Sequence, residues 1–258
     1  MAYSFKGAIA FGLVYIPVAL VASIKNNDIG FNMIDKKTMS RVKYKKTCVD
    51  CENREVKNED IVKGYQYEKG KYVIFTDKEF EKIKTEKDKN ITLLQFVALD
   101  EVDPIYFDRS FYVKAIGADK AFSVLLQAMQ SQKKAGIAKT VLGTKETLLL
   151  LRVKDGNLIA DTLFFYDEIV KAPPVSLQKP QKQELELAKT LINQMTKPFK
   201  PEQFKDEYNK RLRKAIKAKI AGNKIVKPKE RAMPSKIINL MDALQKSLAG
   251  EKEKRKKA

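Results

Sequence analysis

The sequence predicts a mainly β fold that closes on itself as a barrel and continues into a helical C-terminal part. Three observations carry this expectation. Runs rich in β-branched and aromatic residues, separated by turn formers, dominate residues 1–172. Pro173, Pro174 and Pro180 then mark a change to apolar residues at helical spacing. Many strands with little helix favour closure, because a closed sheet leaves no edge free to pair with other chains.

Residues 7–24 are uncharged between Lys6 and Lys25. Gly12 and Pro17 interrupt this stretch, which falls short of the roughly 20 apolar residues of a membrane helix, and no clear cleavage site follows. Leu13-Val14-Tyr15-Ile16 reads instead as a buried strand, and the chain as cytosolic. Residues 63–67 and 72–75 are aromatic-rich runs around Glu68-Lys69-Gly70, the pattern of a hairpin. Thr76 and Glu79 have capping-box spacing ahead of a short helix carrying Phe80 and Ile83. Residues 91–97 read as a strand, and Asp103-Pro104 breaks the chain before Ile105-Tyr106-Phe107. Phe122, Leu125, Leu126 and Met129 share one helical face. Strands resume at 137–142, and 148–153 joins 158–165 through Asp155-Gly156-Asn157.

Helical spacing governs the rest. Leu185, Ala188, Ile192 and Met195 form one stripe, Pro198 and Pro201 stop and restart the chain, and Phe204, Tyr208, Leu212, Ile216 and Ile220 form a second before Gly222. Such stripes need a covering surface, on their own barrel or on a second subunit. After Pro228 and Pro234 a third, short stripe runs through Ile237, Leu240, Met241, Leu244 and Leu248, ahead of a charged end. Three regions are expected: 1–172, 173–224 and 225–258.

Lys and Arg outnumber Asp and Glu by 51 to 32, for a net charge of +19. That excess repels itself unless a polyanion is nearby, so nucleic acid is the default partner; a ribosomal or RNA-binding module and an anionic membrane surface satisfy the same charge. The chain has no histidine, which removes the usual general base and the commonest metal ligand together. Its two cysteines, Cys48 and Cys51, are too close in sequence to staple a long loop and fit a reducing compartment.

Several segments in order carry a resemblance to a known family. Phe11-Gly12-Leu13-Val14-Tyr15-Ile16-Pro17-Val18 resembles the opening strand of bacterial Ku, and Val62-Lys63-Gly64-Tyr65-Gln66-Tyr67-Glu68-Lys69-Gly70-Lys71-Tyr72-Val73 resembles its most recognisable hairpin. Asp103-Pro104-Ile105-Tyr106-Phe107, Ala121-Phe122-Ser123-Val124-Leu125-Leu126 and Ile238-Asn239-Leu240-Met241-Asp242-Ala243-Leu244 follow in the family's order. The departures are Phe5-Lys6-Gly7 where a tryptophan is common, and a charged end shorter than the long lysine-rich tail of some relatives. The resemblance implies a Ku-type barrel with an extended bridge, two copies forming a homodimeric ring, and a helical arm over residues 173–224 that embraces the partner. It also implies a non-enzymatic protein without cofactor, working at the nucleoid in the cytoplasm. Such a protein binds duplex ends without sequence preference and, through residues 225–258, recruits a multifunctional ATP-dependent ligase.

On this reading Arg41, Lys43, Lys45 and Lys46 fall in the bridge. Their alternation with Val42 and Tyr44 reads as a strand with one charged face toward DNA, the alternative being a solvated loop. Lys63, Lys71, Lys114, Lys133, Lys134 and Lys139 are further DNA candidates that could equally be ordinary surface lysines. Arg211, Arg213, Lys214, Lys217 and Lys219 form a basic helix face for nucleic acid, for an acidic patch on a partner, or for solvent. The stripe Ile237, Leu240, Met241, Leu244 and Leu248 is expected to hold the ligase, or else to fold back on its own domain. Cys48-Val49-Asp50-Cys51 has the spacing of half a zinc site; a metal is expected there only if two subunits share four thiolates, and otherwise the segment is a turn with two reduced thiols. Asp100, Glu101, Asp103 and Asp108 could be read as a nuclease metal cluster, but Asp103 before a proline is more simply a turn former.

Overall fold

The computed structural model describes residues 3–83, 90–177 and 179–224. The chain divides into two compact units, Met1–Lys171 and Ala172–Ala258.

The first unit is built on a closed barrel. Its strands are β1 (Tyr3–Phe11), β2 (Val14–Ala22), β5 (Ile91–Ala98), β6 (Phe107–Ala115), β7 (Lys134–Leu142), β8 (Lys145–Lys154) and β9 (Asn157–Leu163). Between β2 and β5 lie a separate two-stranded ribbon, β3 (Lys63–Glu68) with β4 (Lys71–Phe75), and helix α1 (Asp77–Ile83). Around the barrel the order is β1-β2-β6-β9-β8-β7-β5. Neighbours run antiparallel except at the closing seam, where β1 and β5 pair in parallel at Ile9–Ile91 and Ala10–Thr92.

Local chemistry explains the hairpins. Asp155 and Gly156, at φ 50° and 72°, make the two-residue turn between β8 and β9, because both central positions of such a turn need left-handed backbone. Gly12, at φ 55°, opens the two-residue turn between β1 and β2, of a type in which only the first central position is left-handed. That turn corrects one expectation: Leu13 is not in a strand but fully exposed at the turn, Val14 and Tyr15 are also exposed, and burial in β2 begins at Ile16. Alternation then fills the barrel from both sides. Ile9, Ile16, Val18, Leu20, Leu149, Leu151, Leu158 and Ala160 join one buried cluster, while the intervening Leu150 and Leu163 join Ala135 in a second. At Gly136, where β7 pairs with β5, an added Cβ would come 2.5 Å from Leu93 Cδ1, so the end of that side chain would have to shift.

Helix α2 (Asp119–Gln132) adds Leu125 and Met129 to the main core, with Phe122 and Leu126 packed against it, which is the face its spacing predicts. Buried Asp161 on β9 accepts from the Ser110 hydroxyl and pairs with the Arg152 guanidinium, so the acid in an apolar strand is satisfied.

The second unit contains α3 (Lys182–Met195) and α4 (Glu207–Ile220), with Asp206 capping α4 by accepting from the Asn209 N–H at 2.8 Å. Phe204, expected to begin the second stripe, lies before the helix and stacks on Phe199 at 5.5 Å. Neither helix contains a buried residue. The expected stripe from Ile237 to Leu248 lies outside the described residues. No helix among the described residues is long and apolar enough to cross a membrane.

Candidate nucleic-acid interface

Residues 24–83 leave the barrel between β2 and β5, and none of them is buried. The first half lacks regular elements. Asp35 organises a turn by accepting from the Thr38 hydroxyl at 2.7 Å and from the N–H groups of Lys37 and Thr38. Those bonds, the hydroxyl first, hold its carboxyl below the ordinary value. The chain returns through an isolated bridge between Ile34 and Arg41, and a second bridge joins Thr47 to Glu55.

Arg41 to Lys46 therefore runs between two bridged points rather than in a regular strand. The correction has a simple cause: alternation gives a pattern of faces, but a strand also needs a neighbour along its length, and only its ends have one. All four basic residues are exposed. Lys45 is engaged by Glu55 at 2.6 Å, whereas Arg41, Lys43 and Lys46 have no carboxylate partner among the described residues. Lys36 and Lys37, overlooked in the sequence, stand on the Asp35 turn across from Arg41, exposed and likewise without a carboxylate among the described residues. Their adjacency to the Arg41 run was the available signal.

The ribbon carries its two lysines at opposite ends. Lys63, opposite Phe75, pairs with Asp77 at 3.1 Å and lies 4.9 Å above the Phe80 ring; Lys71, at the turn, pairs with Glu68 at 2.6 Å. Tyr65 faces Val73 and Gln66 faces Tyr72, all exposed.

The remaining candidates scatter over the barrel. Lys114 is exposed on β6 beside buried Val113. Lys133 ends α2 in left-handed backbone at φ 52°, and Lys134 opens β7. Lys139 pairs with Glu146 at 2.8 Å and lies 5.5 Å from the Phe165 ring. No bond or ion pair among the described residues ties these four to the Arg41 run. In the second unit, the 100° helical step puts Lys214 opposite Leu212 and Ile216, turns Arg211 and Lys217 well away from them, sets Arg213 on the flank beside Ile220, and places Lys219 within the apolar stripe between Tyr208 and Leu212.

Three of the four carboxylates read as a possible nuclease cluster have local work instead. Asp103 accepts from the Ile105 N–H at 2.9 Å, Glu101 from the Ala98 N–H at 2.7 Å, and Asp108 pairs with Arg109 at 3.2 Å. Cys48 and Cys51 sit on a tight knuckle with their sulfurs 2.6 Å apart. Hydrogen bonding to Cys48 is the first cause that pushes the Cys51 thiol above its ordinary value, and nearby Arg54 opposes it.

A barrel with a long, basic, coreless excursion after its second strand has relatives. The family described as the Ku70/Ku80 beta-barrel domain matches residues 10–187. This chain belongs to the Ku family. It is 44% identical over 246 residues to a protein of Lachnoclostridium phytofermentans, covering 94% of this chain and 95% of that one. To a protein of Bacillus subtilis it is 36% identical over 250 residues, covering 94% and 80%, and to one of Archaeoglobus fulgidus 37% over 261, covering 98% and 100%. All three carry the name Non-homologous end joining protein Ku. The Ku match begins in β1 and runs into α3, so it takes in the whole excursion as well as most of the barrel.

Proposed function

We propose that this Ku-family chain binds ends of double-stranded DNA without regard to sequence, as a homodimeric ring, and acts in non-homologous end joining. The observation that carries the reading is residues 24–83: none of them is buried, Arg41, Lys43 and Lys46 have no carboxylate partner among the described residues, and large side chains such as Phe31 and Tyr44 stand mostly exposed. Arg41, Lys43 and Lys46, with Lys36 and Lys37, suit phosphate oxygens, which are the same at every base pair. Phe31, Met39, Tyr44 and the ribbon tyrosines suit a protein surface, and a second copy of the same excursion is the self-complementary choice. Residues 173–224 are then the arm that embraces the partner, their exposed Ile192, Met195 and Tyr208 covered by it. Residues 225–258 are assigned to recruiting an ATP-dependent ligase. The protein itself needs no catalytic group, and it works at the nucleoid in the cytoplasm.

Comparing affinity for a blunt linear duplex with that for a closed circle of the same sequence tests the reading. Strong preference for the linear form is expected, since a ring loads only over an end. Equal affinity for both refutes it, and structured RNA held as tightly as blunt duplex favours a general basic module instead.

A further inference from the structure

We propose that the barrel carries a binding site for a single phosphate monoester, separate from the excursion, at the end where β5 and β8 finish and β7 begins. Lys133 and Lys134, between α2 and β7, and Arg152 on β8 line one cleft of about 290 Å³, with Met129, Ala135 and Val153 as its apolar lining. A larger cleft of about 690 Å³ shares Leu99, Lys133 and Arg152 with it, so two of the cations stand where the clefts join.

These cations differ from ordinary surface charge. The Arg152 side chain is only 22% exposed, and its Nε and Nη2 both donate to buried Asp161, which leaves Nη1 for another acceptor. A guanidinium already held in place loses little freedom when it binds an anion. Lys133 takes left-handed backbone at φ 52° directly after α2, a position that glycine fills without strain. That strain is kept at a residue whose side chain lines the cleft. Neither Lys133 nor Lys134 has a carboxylate partner among the described residues. Lysines at this place also offset the negative end of the helix, but that task needs no cleft and no fixed arginine.

The balance of charge selects the ligand. Two lysines and the remaining edge of a guanidinium match the oxygens and double charge of one phosphate monoester. Asp155 lines the smaller cleft only and Asp100 the larger only, so a longer polyphosphate would meet carboxylates beyond the cations. Leu99, Pro104 and Phe107 give the larger cleft an apolar wall for the body of the ester, and Asp100 offers an acceptor to the N–H groups of a base. A nucleoside 5′-monophosphate, free or as the 5′ end of a DNA strand, has this chemistry. The site shares no residue with the excursion and stands whether or not the chain forms a ring.

The test is calorimetric titration of the full chain at fixed ionic strength with adenosine 5′-monophosphate, adenosine and adenosine 5′-triphosphate. Saturable binding of the monophosphate is expected, at least about tenfold tighter than adenosine, the size of one charge-assisted contact, with little gained by the triphosphate. Lys133→Gln combined with Lys134→Gln should weaken the monophosphate by at least about tenfold. Lys133→Gly should weaken it while raising the unfolding temperature, because glycine relieves the left-handed strain. Arg152 is left in place, since its loss would strand the buried Asp161 carboxylate. Blunt duplexes carrying a 5′ phosphate or a 5′ hydroxyl separate the two sources: a gain from the phosphate that the double variant abolishes assigns the site to strand ends, and no such gain assigns it to free mononucleotide. A monophosphate held no tighter than adenosine, or equally by the double variant, or far less tightly than the triphosphate, overturns the site and leaves the lysines serving the helix end alone.

Discussion

Within the first unit, the barrel and the excursion of residues 24–83 treat apolar side chains in opposite ways. On β8, Leu149, Leu150 and Leu151 are completely buried, two faces of one strand serving two clusters. On the excursion, Phe31, Tyr44 and Tyr65 are each more than two-thirds exposed. Apolar burial supplies most of the favourable free energy of folding, so the barrel is stable through its own packing and the excursion is not. A two-stranded ribbon and a seven-residue helix without buried residues are marginal alone in water. Contacts from beyond the excursion would add to their order, and the proposed function places DNA and a second copy of the chain there.

The contrast breaks most sharply under truncation. Leu149→Ala is expected to destabilise the barrel by about 2–5 kcal/mol, through lost transfer free energy and the cavity left behind. Phe31→Ala is expected to change barrel stability by no more than about 0.5 kcal/mol, because it removes no packing within the chain. Denaturant unfolding of the two variants checks this, and the second should instead weaken dimerisation in sedimentation. Equal losses of stability would mean that the excursion packs on the barrel.

A smaller effect separates two kinds of lysine inside the excursion. Neutralising Arg41, Lys43 and Lys46 to Gln is expected to lower affinity for DNA ends and to flatten the plot of log affinity against log salt by about 0.9 for each phosphate no longer neutralised. Neutralising Lys45, Lys63 and Lys71, already engaged by Glu55, Asp77 and Glu68, should flatten it much less. These exposed pairs are weak, so the contrast is one of degree. Identical slopes for the two triple variants would remove the distinction.

How much of this could be read in advance follows the range of the interactions. The β8–β9 hairpin was legible because Asp155-Gly156 sets its own turn, and the α2 face because its spacing repeats within two turns. The parallel seam of β1 with β5 was not, since it joins residues about eighty apart with no local signal. Leu13 misled because an apolar residue in a two-residue turn looks like strand until the turn is located, and the Arg41 run misled because alternation does not supply a neighbour. Of the candidate interface, basic character was legible, but which lysines were already engaged depended on carboxylates such as Asp77, fourteen residues from Lys63.

The smallest effect concerns how the excursion returns to the barrel. Helix α1 begins with a reciprocal cap: the Thr76 N–H and hydroxyl both donate to Glu79, at 2.8 and 2.7 Å, and the Glu79 N–H donates back to the Thr76 hydroxyl. The backbone bond first, then the hydroxyl, holds the Glu79 carboxyl below its ordinary value of 4.5. Because the folded value is the lower one, the cap's charge-assisted contribution is fully present above pH 4.5 and is lost as the pH falls through the folded value. Protection of the amides of residues 79–83 against hydrogen exchange, corrected for the intrinsic rate, should therefore weaken in that acid window. Glu79→Gln keeps a side chain able to accept the same bonds and should abolish the acid dependence with a modest loss of protection, while Glu79→Ala should lose protection at every pH. Since no buried residue of α1 would compensate, a cap of this size is visible here; the same substitution on α2, anchored by Leu125 and Met129, would be masked by packing. Acid dependence unchanged in Glu79→Gln would assign the titration to another carboxylate.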